Sequence, residues 1–116
     1  MLIKGNDLCM LAGNPDAIRV TFNRKPKTGD KVVFRVVNRV GDKKPLIEIT
    51  SDSFDSNNSA VLYIDPDKTR DLGGRDYPYE LTLISQNSGT EQSILWVENC
   101  KHEIRRIKIL RNALGG

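Results

Sequence analysis

Hydrophobic and polar residues alternate along most of the chain, which is the pattern of strands that bury one face. In Ile18–Phe22 the apolar side chains point one way, while Arg19 and Thr21 point the other. Turns rich in Gly, Pro, Ser, Asp and Asn separate such runs. About seven strands at this spacing predict an all-β sandwich or barrel, if Met1–Lys4 or Leu8–Leu11 also pairs. Other predicted strands cover residues 46–50, 60–65, 77–85 and 93–97.

The longest run, Lys31–Arg39, differs because it is apolar on both faces. Val32, Phe34 and Val36 share one face, and Val33 lies on the other. A strand that buries both faces belongs in the middle of a sheet, so we predict a central strand here. The predicted inner face of the sandwich comprises Val20, Phe22, Phe34, Val36, Ile47, Leu62, Ile64, Tyr77, Leu81, Leu83 and Trp96.

The last sixteen residues fit two patterns. Ile104, Ile107 and Leu110 follow helical spacing, whereas Ile107 and Ile109 alternate with charged residues as in a strand. The isoleucine-rich composition favours a strand over about residues 101–110. We therefore divide the chain into a sandwich domain at 1–100 and a basic C-terminal strand or short helix with a frayed end at 101–116.

A length of 116 residues favours one domain that needs no disulfide to fold. No apolar run reaches the roughly 18 residues of a membrane span, and no signal peptide is visible at the start. We therefore expect no membrane association.

Charge is strongly segregated along the chain. Residues 1–47 carry a net charge of +6, residues 48–100 carry −7, and residues 101–116 carry +4. Such blocks can mark a nucleic-acid face or complementary contacts between copies. They can also interleave in space once the strands pair.

Candidate chemistry is sparse. Cys9 and Cys100 lie far apart in sequence and could pair only if the terminal strands are neighbours. His102 is the single histidine and cannot complete a zinc site with two distant thiols. Asp65–Asp71 resembles the start of a calcium loop, but Arg70 takes the place where that loop needs Gly. No catalytic residue, metal site or cofactor is therefore predicted, and we expect a protein that is not an enzyme.

The most concentrated basic patch lies near the end of the chain. It could contact phosphates, form a solvated face, or dock on the acidic middle block of a neighbouring copy. Its members are Lys101, Arg105, Arg106, Lys108 and Arg111.

The stretch between Asp65 and Leu83 carries the most information. It reads as a strand, an acidic turn and a Tyr-x-Tyr entry into a new strand. The turn is expected to cap a single helical turn, with Asp67 or Thr69 bonding nearby backbone amides. In immunoglobulin-like sandwiches a tyrosine at this corner bonds back to upstream backbone. Tyr77 is the candidate, with its ring buried and its hydroxyl on a carbonyl.

Several short motifs follow one another along the chain. Gly29-Asp30 opens a predicted strand, and Asp67, Thr69 and Leu72 give D-x-T-x-x-L. A Gly turn and Y-x-Y-E-L follow, the latter starting at Tyr77 and including Tyr79. With these motifs the chain resembles, over about residues 16–97, small immunoglobulin-like domains of tailed-phage baseplate and tail proteins, especially the N-terminal domain of baseplate upper proteins.

This resemblance implies an antiparallel immunoglobulin-like β-sandwich of seven to eight strands. It also implies a structural or adaptor protein of a phage or prophage particle, located in the bacterial cytoplasm before assembly and then in the virion. Its partners would be other virion proteins and itself, as a homo-oligomer steered by the opposed charge blocks. Two alternatives remain: a nucleic-acid-binding β-domain that uses the basic segments 101–111 and 24–31, and a sandwich that binds carbohydrate or a surface.

Overall fold

A computed structural model describes residues 1–4, 7–22, 25–85, 91–93 and 105–111. Within these ranges the chain is all-β, as the alternation predicts, with one single-turn helix. The elements are β1 (Leu2–Lys4), β2 (Asp7–Leu11), β3 (Asp16–Thr21), β4 (Lys31–Val36), β5 (Ile47–Ser51), β6 (Ser59–Ile64), α1 (Pro66–Thr69), β7 (Arg75–Ile84), β8 (Glu91–Ser93) and β9 (Arg106–Leu110).

The strands form two sheets. The larger sheet has the order β1-β2-β9-β7-β4-β5, and β8 also pairs with β7. The smaller sheet is the antiparallel pair of β3 and β6. Both N-terminal segments pair, so the described residues already hold more strands than the seven or eight expected.

One pair departs from the antiparallel expectation. β2 runs parallel to β9, with Leu8 opposite Ile107 and Leu11 opposite Leu110. Antiparallel neighbours can be joined by a tight turn, whereas parallel neighbours need a long crossover. β2 and β9 meet this condition because nearly the whole fold lies between them in sequence.

β4 lies between β5 and β7, which confirms the central strand predicted from its two apolar faces. Val32, Phe34 and Val36 are completely buried on one face, and Val33 is buried on the other. The strand ends earlier than predicted, at Val36.

The core is formed by facing side chains of the two sheets. Seven residues of the predicted inner face are buried, three more are partly buried against them, and Trp96 lies outside the described residues. The seven are Phe34, Val36, Ile47, Leu62, Ile64, Tyr77 and Leu81, and the three are Val20, Phe22 and Leu83. The N-terminal and C-terminal strands add Leu8, Met10, Ile107 and Ile109.

The C-terminal basic segment contributes a strand to this sheet. Residues 106–110 form β9, so the strand alternative holds there, while residues 101–104 and 112–116 lie outside the described part. Ile107 and Ile109 are completely buried. β9 lies between β2 and β7, so these residues belong to the larger sheet.

Two turns of the same construction bracket β4. In each, a terminal Asp donates its N–H to a carbonyl three residues back and accepts that residue's N–H on its carboxylate. Asp30 does this with Lys27, and Asp42 with Arg39. Gly29-Asp30 therefore opens β4, as its motif predicts.

Candidate functional site: the corner before β7 and the outer face of β9

The connection from β6 to β7, residues 65–74, is named here the corner. It begins with α1, whose N-cap is Asp65 with Pro66 in the first turn. The Asp65 carboxylate accepts the Asp67 N–H at 2.9 Å, which satisfies one of the donors that a helix start leaves open. The single helical turn is present as predicted, but the residue that caps it is Asp65 rather than Asp67 or Thr69.

Thr69 joins the corner to a distant part of the chain. Its side chain is completely buried, and its Oγ1 accepts the N–H of Gly13 at 3.0 Å. Thr69 thus does bond a backbone amide, but one 56 residues away rather than a nearby one. Asp67, by contrast, is exposed and pairs with Arg70.

Tyr77 makes the hydrogen bond predicted for it. Its side chain is buried, and its hydroxyl donates to the carbonyl of Leu72, five residues earlier, at 2.8 Å. The guanidinium carbon of Arg75 lies 4.5 Å from the Tyr77 ring centroid, in cation–π range. The same Arg75 donates to the Asn38 side chain and carbonyl. Tyr77 therefore ties the corner to the start of β7.

Tyr79, the second tyrosine of the motif, is a core residue. Its ring lies 5.6 Å from that of Phe34, centroid to centroid. Burial raises the pKa of Tyr79 to about 12, because the charged phenolate is poorly solvated there. Its backbone N–H donates to the carbonyl of Arg105. Its contribution is packing and pairing rather than exposed chemistry.

Gly73 and Gly74 bring the corner into contact with the ends of β2 and β9. A Cβ on Gly73 would lie 3.1 Å from the Ala12 Cβ and 3.1 Å from the Arg111 Cα, so a side chain there would force its neighbours to shift. Gly74 has a φ of +100° and donates its N–H to the Ile109 carbonyl at 2.7 Å. Close approach therefore explains Gly73, and the left-handed backbone explains Gly74.

The predicted basic patch is spread along β9. Arg106 and Lys108 are exposed on its outer face, and Arg111 is exposed just beyond it. Arg105 is half-buried, and its Nε has no hydrogen-bond partner among the described residues. Lys101 lies outside the described part of the chain.

Acidic residues stand beside these cations. Lys108 lies opposite Asp76 of β7 on one side and Cys9 of β2 on the other. Asp7 and Arg106 precede the paired residues Leu8 and Ile107, so they are also neighbours in the parallel register. An open groove of about 330 Å³ lies on this face, lined by Leu2, Asp7, Leu8, Cys9, Asp76, Arg106 and Lys108. The face is therefore of mixed charge and not a continuous positive surface.

No metal-ligand set is found among the residues that the structure describes: no three His, Cys, Asp or Glu side chains come together there. Cys9 is half-buried at the groove, while Cys100 and His102 lie outside the described ranges. The Asp65 carboxylate, the Thr69 hydroxyl and the Leu72 carbonyl of the corner accept hydrogen bonds within the fold, so its geometry serves to hold chain segments together.

Sequence reasoning missed one charged contact. The α-ammonium of Met1 lies 2.7 Å from the Asp16 carboxylate, with side-chain exposures of only 3% and 18%. This pair links β1 to the start of β3. Nothing in the local pattern around Asp16 distinguishes it from an ordinary residue before a strand.

Comparisons of the chain with protein-family models, curated proteins and solved structures find no match. Its role is therefore inferred from its own fold and contacts. Among the described residues, no helix is both long enough and apolar enough to cross a membrane.

Proposed function

We propose that the two sheets form an immunoglobulin-like sandwich. Strand order supports this: β9-β7-β4-β5 corresponds to the G-F-C-C′ sheet of variable-type domains, and β3 with β6 corresponds to the facing B-E pair. β7 then takes the position of strand F. The corner before β7 is the corner at which that fold places its tyrosine.

The Tyr77 hydrogen bond is the observation that carries the proposal furthest. A tyrosine at the start of strand F that bonds a carbonyl a few residues upstream is a hallmark of this class of sandwich. Here the tyrosine belongs to the motif shared with the phage domains, and its acceptor Leu72 is the last residue of D-x-T-x-x-L. Motif and geometry thus coincide at the same residues.

From this we infer a non-enzymatic structural or adaptor protein of a phage or prophage particle, in its tail or baseplate. It acts through protein–protein contacts with other virion proteins and with its own copies. It resides in the bacterial cytoplasm until assembly and afterwards in the virion. The corner supplies a rigid framework for such contacts, since Thr69, Gly73 and Tyr77 fix three separate segments against each other.

The direct test is the composition of particles. Particles purified from a host that carries and expresses this sequence are expected to contain the chain in mass spectra and to bind an antibody against it on the tail. Deletion of its gene is expected to yield particles with defective tails. A chain that is expressed but absent from purified particles would overturn the proposal.

The nucleic-acid alternative is tested separately. Asp7 and Asp76 beside Arg106 and Lys108 weaken a phosphate-binding role, because the carboxylates repel phosphates that the cations attract. Salt-dependent binding of labelled single-stranded DNA, lost in the R106A/K108A double variant, would favour that alternative. The matched control is K68A/R70A, which removes one exposed lysine and one exposed arginine from the corner.

A further inference from the structure

β5 lies at one end of the larger sheet, and among the described residues a strand pairs with only one of its edges. It pairs with β4 on its inner side. On its outer side, no backbone hydrogen bond within the described ranges joins β5 to another strand, although β6 of the second sheet follows it in sequence. An edge strand presents N–H and C=O groups that can pair with another strand.

The loops at the two ends of β5 have opposite charge. We call residues 39–44, before β5, the basic loop: it has exposed Arg39, Lys43 and Lys44 and one acid, Asp42. We call residues 52–55, after β5, the acidic loop: it has exposed Asp52 and Asp55. The net charges are +2 and −2.

Both loops are held in place by hydrogen bonds. The Asp42 carboxylate accepts the N–H of Arg39 at 3.0 Å, which closes the turn in the basic loop. The Asp55 carboxylate accepts the N–H groups of Ser59 and Asn57 at 2.9 Å each. Donation by the Ser59 amide, the largest cause, lowers the pKa of Asp55 below its ordinary 3.8, so this carboxylate stays charged. Arg19 of the same chain pairs with Asp55 at 3.1 Å, so Asp52 supplies most of the negative charge that the acidic loop offers to a partner.

We propose that two copies of the chain pair antiparallel along β5, about a two-fold axis near Ile49. Antiparallel pairing places the start of each β5 beside the end of the other. The basic loop of each copy then faces the acidic loop of its partner, and the same contact occurs twice, as two-fold symmetry requires. A parallel arrangement would instead place loops of like charge side by side, so charge also selects the direction.

The side chains of β5 suit this register. With Ile49 opposite Ile49 of the partner subunit, Glu48 faces Thr50 of the partner subunit, so no like charges are opposed. Glu48 is moreover neutralised within its own chain by Arg35, at 2.8 Å. The larger sheet would continue across the axis into the second copy. The inference rests on the proposed function for the role of self-assembly. It deepens that function by naming the surface that joins the copies.

Sedimentation of the full chain over a wide concentration range tests the pairing. We expect a dimer at low salt that weakens as salt rises from about 0.1 M to about 1 M, since the Debye length falls from about 10 Å to about 3 Å. Reversal of the basic loop in K43E/K44E, or of the acidic loop in D52K/S53K, is expected to raise the dimer Kd about tenfold or more. The control variant K68E/R70E reverses two exposed cations of the corner, which packs on β2 and β9 far from β5, and should leave the Kd unchanged.

Mixing the variants gives the sharpest result. K43E/K44E and D52K/S53K are each expected to be monomeric alone, yet to form a heterodimer together. The altered basic loop then carries −2 and faces an altered acidic loop of +1, while the unaltered loops of +2 and −2 face each other. Rescue also shows that both variants are folded. A wild-type chain that stays monomeric, a dimer insensitive to the loop variants, or a mixture without heterodimer would each overturn the inference. A monomeric chain found in particles would refute this pairing alone, and a dimer absent from particles would refute only the proposed function.

Discussion

At the scale of single residues, Thr69 shows how one hydroxyl joins distant segments. We expect Thr69→Val to lower the free energy of unfolding by about 1–3 kcal/mol, because the buried N–H of Gly13 loses its acceptor. Urea denaturation measures this. Thr69→Ser is the matched control, since it keeps the hydroxyl and should lose less. A valine variant as stable as the serine variant would show that the bond adds nothing.

Tyr79 offers a pH test of the core. Its pKa is raised from 10.0 to about 12 by burial, so the folded state disfavours the phenolate. The stability from neutral Tyr79 is fully present below pH 10 and is lost as pH rises towards 12. Absorbance titration of the folded chain should show one tyrosine that ionises above the others. That phase should be missing in Tyr79→Phe, and its persistence there would assign the high pKa elsewhere.

At the scale of elements, the corner depends on close backbone packing at Gly73. Gly73→Ala is expected to destabilise the fold by about 1–3 kcal/mol, because the added methyl meets Ala12 and the Arg111 backbone at 3.1 Å. Thermal or urea unfolding measures the loss. Ala12→Gly in the same chain removes one of the two clashes, so the double variant should lose less than the sum of the single changes. Strict additivity would mean that the two sites are not in contact.

Alternation predicted most of the elements because the buried face of each strand follows from that strand's own residues. The strand from Lys31 illustrates this, since its two apolar faces placed it in the centre. The same pattern could not reveal the parallel pair of β2 and β9, because alternation does not say which strand is the neighbour. It also placed the end of β4 too late: the Val37 N–H bonds the Pro78 carbonyl, and the chain then turns at Arg39–Asp42.

The candidate site was predictable to the same extent. Tyr77 was recognised because its motif is local and its acceptor is five residues away. Thr69 was singled out with the wrong partner, since no local rule connects it to Gly13 across 56 residues. The neighbours of Arg106 and Lys108 likewise follow from strand order alone, which the sequence does not state.

At the scale of the whole molecule, folding changes the meaning of the charge blocks. The basic C-terminal strand lies between β2 and β7, whose Asp7 and Asp76 stand beside it, so its charge is locally balanced. The basic and acidic loops at the two ends of β5, by contrast, remain apart within one copy. The segregation of charge along the sequence is thus lost around β9 and kept at the two ends of β5.

The contact between Met1 and Asp16 links the first strand to the second sheet. Asp16→Asn, or acetylation of the Met1 amine, is expected to lower the free energy of unfolding by about 0.5–1 kcal/mol, because a partly exposed ion pair loses one of its charges. Denaturation of the four combinations measures the coupling. If the pair acts as a unit, the second change should cost much less than the first. Equal, additive losses would contradict a direct interaction.

The parallel pairing of β2 and β9 also has a mechanical consequence. The start of β2 and the end of β9 lie at opposite ends of the pair, because the two strands run in the same direction. A tensile force between Asp7 and Leu110 therefore acts along the strands and shears their hydrogen bonds all at once. An antiparallel pair pulled from adjacent ends would open one bond at a time. The arrangement that brings the first and last segments together is thus also one that resists stretching.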